Sequence, residues 1–291
     1  MSDKIFESHA PQYWGKGFSA LPVKPGTKGT KLPAWTEYCQ ILPKDEMQAE
    51  LLKRHPGHGI GLALGRLFQD GSQLGFVDVD ANSIRRFVEA FVGITPCARI
   101  GKKGIALAVR LDASIKSHPI AFAGGGGAID ILGNKRMVVL PPTIHPETQK
   151  PYLWVGSPLL EIDPLECPLL TSARCFLLGK IISHKELPQI LTGQSTNDAT
   201  LNLTASMVGL GMGKEEILRL VPLLFPLDYE GNTLGQLEGM IDGAITKGFE
   251  PAAKTKEGKL PPQEQLILWG EQHHLYLDPT NNAYISLRKG S

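Results

Sequence analysis

The residues with the most chemistry to offer are three aspartates, a basic cluster and a histidine. In Leu74 to Ala81, LGFVDVDA, Asp78 and Asp80 stand two residues apart in a run that reads as a strand. Side chains alternate faces along a strand, so these two carboxylates point the same way, opposite Gly75, Val77 and Val79. At roughly 3.3 Å of rise per residue they lie about 7 Å apart. Oxygen donors so placed can share a hard divalent cation or clamp two of them. A strand that ends in an Asx-turn, with Asp80 and Asn82 capping the next helix, has the same local pattern. Asp130 sits between Ile129 and Ile131 on a second short strand. Its side chain faces away from theirs, and burying it is costly unless it is paired or metal-bound. The stretch PCARIGKKGIALAVRL from Pro96 to Leu111 carries Arg99, Lys102, Lys103 and Arg110 around Gly101 and Gly104. It is the densest basic cluster in the chain. Lys24, Lys28 and Lys31 lie on a Gly-rich loop that could hold phosphates, although a solvated loop has the same composition. His145 is carried by the rigid turn PPTIHP.

Bulk properties narrow the classes available. The 291 residues suffice for one large domain or two modest ones. Hydrophobic content of 42% and charged content of 20% describe an ordinary globular protein. With a net charge of +1, a nucleic-acid site must be a local groove rather than a whole-protein patch. No apolar run reaches the ~18 residues of a membrane span, and the first residues lack the order of a signal peptide. Cys39, Cys97, Cys167 and Cys175 are scattered without a CxxC pair. Free thiols and a cytoplasmic location are expected, and a zinc site is not.

The positioning elements follow from periodicity and punctuation. A short helix over 6–18 stops at Gly15 and Gly17, and a brief strand ends at Pro22. A helix over Lys44 to His55 ends at Pro56-Gly57. HGIGLALG, His58 to Gly65, is a buried strand; it is no GxGxxG fingerprint, because no helix start follows it. That strand and the one bearing Asp78 fit an antiparallel hairpin. A helix over Ile84 to Val92 turns Arg85, Arg86 and Glu89 to water. Strands follow at both arms of the basic hairpin, around Asp130, at RMVVL and at Tyr152 to Val155. From Thr171 the texture turns helical, with helices at Ser172 to Ser183, 199–209, Lys214 to Phe225 and about Leu234 to Lys247. PAAKTKEGKLPP, 251–262, reads as a polar linker, and the residues after it as a hairpin.

In this order the pieces resemble the primase–polymerase family of the archaeo-eukaryotic primase superfamily, typical of phages, plasmids and mobile elements. The likeness covers the first 160 residues. It begins with Ala10, Gly17, Pro22, Pro25, Lys31, Pro33 and Trp35, and continues through Gly59-Ile60-Gly61 and Gly65. Val77-Asp78-Val79-Asp80 matches the family's first motif and Ile129-Asp130 its third. VVLPPTIHPETQKPYLW matches its strand, Pro-rich turn, His-Pro and Tyr-x-Trp. The family's second motif usually ends in Gly-x-His, where this chain has Gly104-Ile105-Ala106. The basic run Arg99-Ile100-Gly101-Lys102-Lys103 resembles the version found in a phage and prophage branch.

The resemblance implies an α+β fold: a primase catalytic core with an RNA-recognition-motif-like sheet and a β-rich subdomain at 1–170. A helical domain at 171–250 would follow, then at 251–291 a linker and the start of a downstream domain. It implies template-dependent nucleotidyl transfer, with Asp78, Asp80 and Asp130 holding Mg²⁺ or Mn²⁺. Arg99, Lys102, Lys103, His145 and Lys31 are the nucleotide-binding candidates. The implied partners are a single-stranded DNA template, nucleoside triphosphates and a helicase domain or protein, with no membrane. Two rival readings stay open: a non-catalytic replication initiator or single-strand-binding module, and a nuclease using the same carboxylates.

Overall fold

The computed structural model describes residues 4–248 and the backbone of two short strands, 275–277 and 283–285. The linker expected at 251–262 lies outside the described residues. In chain order, α1 (Ile5–Gly15), β1 (Ala20–Val23), α2 (Asp45–Arg54) and β2 (Gly59–Leu64) come first. β3 (Ser72–Val79) and α3 (Arg85–Val92) lead into β4 (Cys97–Ile100), β5 (Ile105–Asp112), β6 (His118–Ala121) and β7 (Gly127–Leu132). β8 (Arg136–Leu140), β9 (Leu153–Gly156) and β10 (Leu169–Leu170) complete the main strands. α4 (Ser172–Ile182), α5 (Leu187–Thr192), α6 (Thr196–Gly209), α7 (Lys214–Leu220) and α8 (Thr233–Thr246) follow, and β11 (Leu275–Leu277) pairs antiparallel with β12 (Ala283–Ile285). Sheets that are antiparallel apart from the short parallel β10–β5 pair, with segregated helices, make the fold α+β, as the sequence implied.

Two sheets divide the strands. The larger runs β6-β7-β3-β5-β4-β9, with β10 beside β5, and the smaller runs β1-β2-β8. The expected hairpin between β2 and β3 does not form. β2 is flanked by β1 and β8, and β3 by β5 and β7, so the 65–71 connection crosses between sheets. Turn residues between two strands are compatible with either outcome; the choice went to the partners with matching buried faces.

The alternation along β3 sets up two cores. Val77 and Val79 join Leu107, Val109, Ile129 and Ile131 on one face. Helices cover that face: Phe87, Val88 and Phe91 of α3, Leu178 and Ile181 of α4, Leu203 of α6 and Ile241 of α8 share one cluster with it. Each such side chain fully buried contributes roughly 1.5–3 kcal/mol. The other face presents Leu74 and Phe76 with Ala106 and Ala108 to Ile60 and Leu62 of β2, Val138 of β8, and Phe6 and Trp14 of α1.

α3 is tied down at its polar surface too. Arg86, expected to face water, donates to the Phe225 carbonyl at 2.7 Å. Arg174 of α4 and Arg219 of α7 donate to the Phe91 and Ala90 carbonyls near the C-terminal end of α3, at 3.0 and 2.9 Å. Cations suit that end of a helix dipole. The short helix α5 was absent from the sequence expectation, because Pro188 and a length of six residues leave little periodicity to read.

Candidate active site

The site stands where the inter-sheet core runs out. Asp78 continues the face of Leu74 and Phe76, but it is half-buried where they are buried. A single row of cross-strand partners passes through it. Trp154 of β9 lies opposite Arg99 of β4, Arg99 opposite Ala106 of β5, and Ala106 opposite Asp78. Asp78 in turn lies opposite Asp130 of β7, and Asp130 opposite Pro119 of β6. Directly opposed residues share a face, with Cα atoms about 4.5–5.5 Å apart. The row therefore sets two acids side by side and an arginine beyond a residue with almost no side chain.

Ala106 leaves the room that Arg99 uses. Arg99 Nη2 donates to Asp78 Oδ2 at 3.3 Å, its guanidinium stacks 4.8 Å from the Tyr152 ring centroid, and its Nε–H finds no acceptor among the described residues. Burial raises the Asp78 carboxyl above the usual range; Arg99 opposes the shift, and Asp80 and Asp130 reinforce it. Like charges directly opposed across a sheet are destabilising. Arg99 offsets part of this repulsion, and a cation bound between the two carboxylates would offset more. Asp80 follows the end of β3, its backbone N–H bonded to the Ala128 carbonyl at 3.1 Å. Among the described residues no group of three or more His, Cys, Asp or Glu side chains is placed to hold a metal ion. Register brings Asp78 and Asp130 together, Asp80 follows two residues after Asp78, and hard oxygen donors of this kind suit Mg²⁺ or Mn²⁺.

Beside the acids is a cavity of about 310 Å³ lined by Asp78, Asp80, Arg99, Lys102, Lys103 and His145, with Lys28, Glu147 and Tyr152 completing the wall. Asp130, the cross-strand partner of Asp78, is outside this lining. Lys31 is an exposed loop residue outside this lining, and Lys28 of the same loop lines the cavity in its stead. The β4–β5 turn that carries Lys102 and Lys103 depends on Gly104, which has φ +68°; a Cβ there would lie 1.9 Å from the Val79 carbonyl oxygen. At Gly101 a Cβ would lie 2.6 Å from Tyr152 Cε1 and 3.2 Å from His145 Cδ2, so the rings close directly onto bare backbone.

His145 is buried, at 2% exposure. Its Nδ1 accepts the backbone N–H of Glu147 at 3.2 Å, which leaves Nε2 to carry the proton of the neutral ring. Burial, with Lys28, Lys102 and Arg99 nearby, lowers its pKa, and Glu147 works against that. Glu147 accepts from Lys102 Nζ at 2.5 Å and stands 3.8 Å from Lys28 Nζ. The sequence analysis missed Glu147 and Tyr152 as site residues and named Lys28 only with its loop, carrying Lys31 forward instead. The Tyr-x-Trp likeness contained the signal for Tyr152, since it is held where β9 begins. No local signal distinguished Lys28 from Lys31.

The arrangement joins hard oxygen donors to cations and a ring nitrogen, a combination suited to a metal-complexed polyphosphate. No helix among the described residues is long and apolar enough to cross a membrane. No curated protein matches the chain. Residues 10–169 match the family of the bifunctional DNA primase/polymerase, N-terminal domain. The matched segment contains the whole cross-strand row and every residue of the cavity, and at more than half of the 291 residues it establishes that the chain belongs to the Prim-Pol family.

Proposed function

We propose that the protein is an active DNA primase and polymerase, serving replication of a phage, plasmid or mobile element. The reaction is template-dependent nucleotidyl transfer: a primer 3′-hydroxyl attacks the α-phosphorus of a nucleoside triphosphate and pyrophosphate leaves. The observation that carries the reading is the Asp78–Asp130 opposition beside a cationic cavity. Asp78, Asp80 and Asp130 would hold Mg²⁺ or Mn²⁺, which when bound stabilises the attacking and leaving oxygens. Lys102, Lys103, Lys28 and Arg99 would neutralise the β- and γ-phosphates. Among the described residues the buried Arg99 Nε–H has no acceptor, so a small shift of its side chain would give that donor to a phosphate oxygen. His145, neutral with its proton on Nε2, would donate to a phosphate or sugar oxygen. The finer architecture belongs to the same reading: a primase core at 1–170, with 171–250 as the helical segment that follows such cores and a helicase as a further partner.

The template would follow a groove of about 800 Å³ between β6 and α4, lined by Lys116, His118, Phe176 and Lys180 and by several serines, with no carboxylate. β6 is two strands from β3, roughly 10 Å at the usual spacing. Lys180 Nζ lies 5.1 Å from the Phe176 ring centroid, a cation beside a stacking surface of the kind single strands use.

The test is primer synthesis on single-stranded DNA with labelled nucleotides and Mg²⁺ or Mn²⁺. Asp78→Ala with Asp80→Ala should lower synthesis by at least roughly 100-fold, since loss of mere supporting partners already costs up to about that much. Undiminished synthesis by the double variant would falsify the metal assignment. The Arg99–Asp78 ion pair and the alanine at 106 favour a second reading, a non-catalytic initiator or strand-binding module. That reading requires DNA binding that survives loss of all three aspartates, with no nucleotide incorporated by the native chain.

A further inference from the structure

We infer that Glu147 is a built-in competitor for the triphosphate, an internal anion that holds the cationic cradle until a polyphosphate displaces it. The inference rests on the nucleotide reading above and sharpens it by naming the residue that sets affinity. Glu147 reaches two lysines from different segments. Lys102 comes from the β4–β5 turn and Lys28 from the loop after β1, and both ammonium groups meet the one carboxylate. All three line the same cavity as Asp78 and Arg99. The carboxylate thus lies where a phosphate oxygen would be bound, and two of the four cationic side chains in the lining are already engaged by it. The hydrogen bond from Lys102 holds the Glu147 carboxyl below the usual range, so it stays ionised through the physiological range.

An orienting role for Glu147 in the same geometry predicts the opposite sign. A glutamate that orients two lysines for the ligand helps binding, whereas a glutamate that competes with the ligand opposes it. Exposure favours competition: the side chains of Glu147, Lys102 and Lys28 are 52%, 53% and 56% exposed. Such pairs are individually weak, so an anion with several charges can replace the carboxylate. The competition continues after chemistry. Once pyrophosphate forms, Glu147 can reclaim its lysines and thereby favour release.

The experiment is calorimetric titration of inorganic tripolyphosphate into the full chain with a chelator present, so that no divalent cation contributes. Glu147→Gln should bind tripolyphosphate about fivefold tighter than the native chain, the sum expected for freeing two exposed pairs. Inhibition of primer synthesis by pyrophosphate should strengthen in the same variant. Equal or weaker tripolyphosphate binding overturns the inference. Glu147→Ala provides a second variant, because the bond to His145 Nδ1 is made by the Glu147 backbone and outlasts any change of side chain. In a Lys28→Gln, Lys102→Gln background the gain from Glu147→Gln should vanish; a gain that persists places its cause elsewhere and also overturns the proposal. Failure here is distinct from failure of the functional reading. Native primer synthesis without tighter tripolyphosphate binding removes only the competitor, and tighter binding by a chain that makes no primers removes only the polymerase.

Discussion

Burial and neighbouring charges shift Asp78, Glu147 and His145 of the cavity from their ordinary values, so single substitutions there have readable signs. His145 gives the plainest case. Its pKa is lowered from 6.5 chiefly by burial, so the native state resists a proton that the unfolded chain accepts. Stability therefore holds above the unfolded value and is lost as pH falls from about 6.5 through the lower folded value. His145→Gln should lose less stability than the native chain between pH 7.5 and pH 5.5, as read by urea denaturation at both values. An equal loss in the two proteins would mean that His145 titrates normally. Other histidines with lowered values, His58 and His184, contribute the same to both proteins and cancel in the comparison.

At the scale of elements, the geometry of the candidate site is a property of strand pairing. β3 contributes Asp78 because its period-2 alternation gives one face to helices and the other to the smaller sheet. β7 contributes Asp130 because its register with β3 sets Asp130 opposite Asp78 and not one residue away. β4 contributes Arg99 through the tight turn to β5, and that turn rests on Gly104. Gly104→Ala would force an L-residue to φ +68° and press its Cβ against the Val79 carbonyl. The expected cost is at least about 2 kcal/mol, read as a lower denaturation midpoint. Nucleotide affinity should fall with it, because relief requires the Lys102–Lys103 turn to move. A midpoint matching the native protein would show that the turn accommodates the methyl group without strain.

Across the whole molecule, the helices after residue 171 complete the core beneath the sheet. The cluster that begins at Val77 and Val79 passes without a break through α4, α6 and α8. Thr171 caps α4 by accepting the Arg174 N–H, and Arg174 then spans to Phe91 and Glu216. The groove between β6 and α4 exists only because this packing brings an edge strand alongside a helix. If the template occupies it, Lys116→Gln with Lys180→Gln should weaken single-stranded DNA binding and flatten its salt dependence by about two phosphate contacts. Binding measured over a series of salt concentrations decides this. An unchanged slope would direct the strand elsewhere.

The sequence by itself determined what local physics controls. Alternation turned Asp78 away from Val77 and Val79 and assigned Asp130 to another strand, although β3 ends at Val79 and leaves Asp80 just past it; glycines and prolines marked most element ends, and ordered motifs pointed to the family. Tertiary structure decided what depends on partners distant in the chain. β2 and β3 separated into different sheets, because a turn permits a hairpin without selecting it. Arg86 turned from solvent to the Phe225 carbonyl, a residue 139 positions later. Lys28 rather than Lys31 reached the cavity, since loop lysines of equal charge differ only in where the loop is anchored. Glu147 met two lysines that nothing in its own turn foretold. Asp130 came to stand beside Asp78, and Arg99 to reach across Ala106, through register. Register is a relation between strands, and no single strand encodes it.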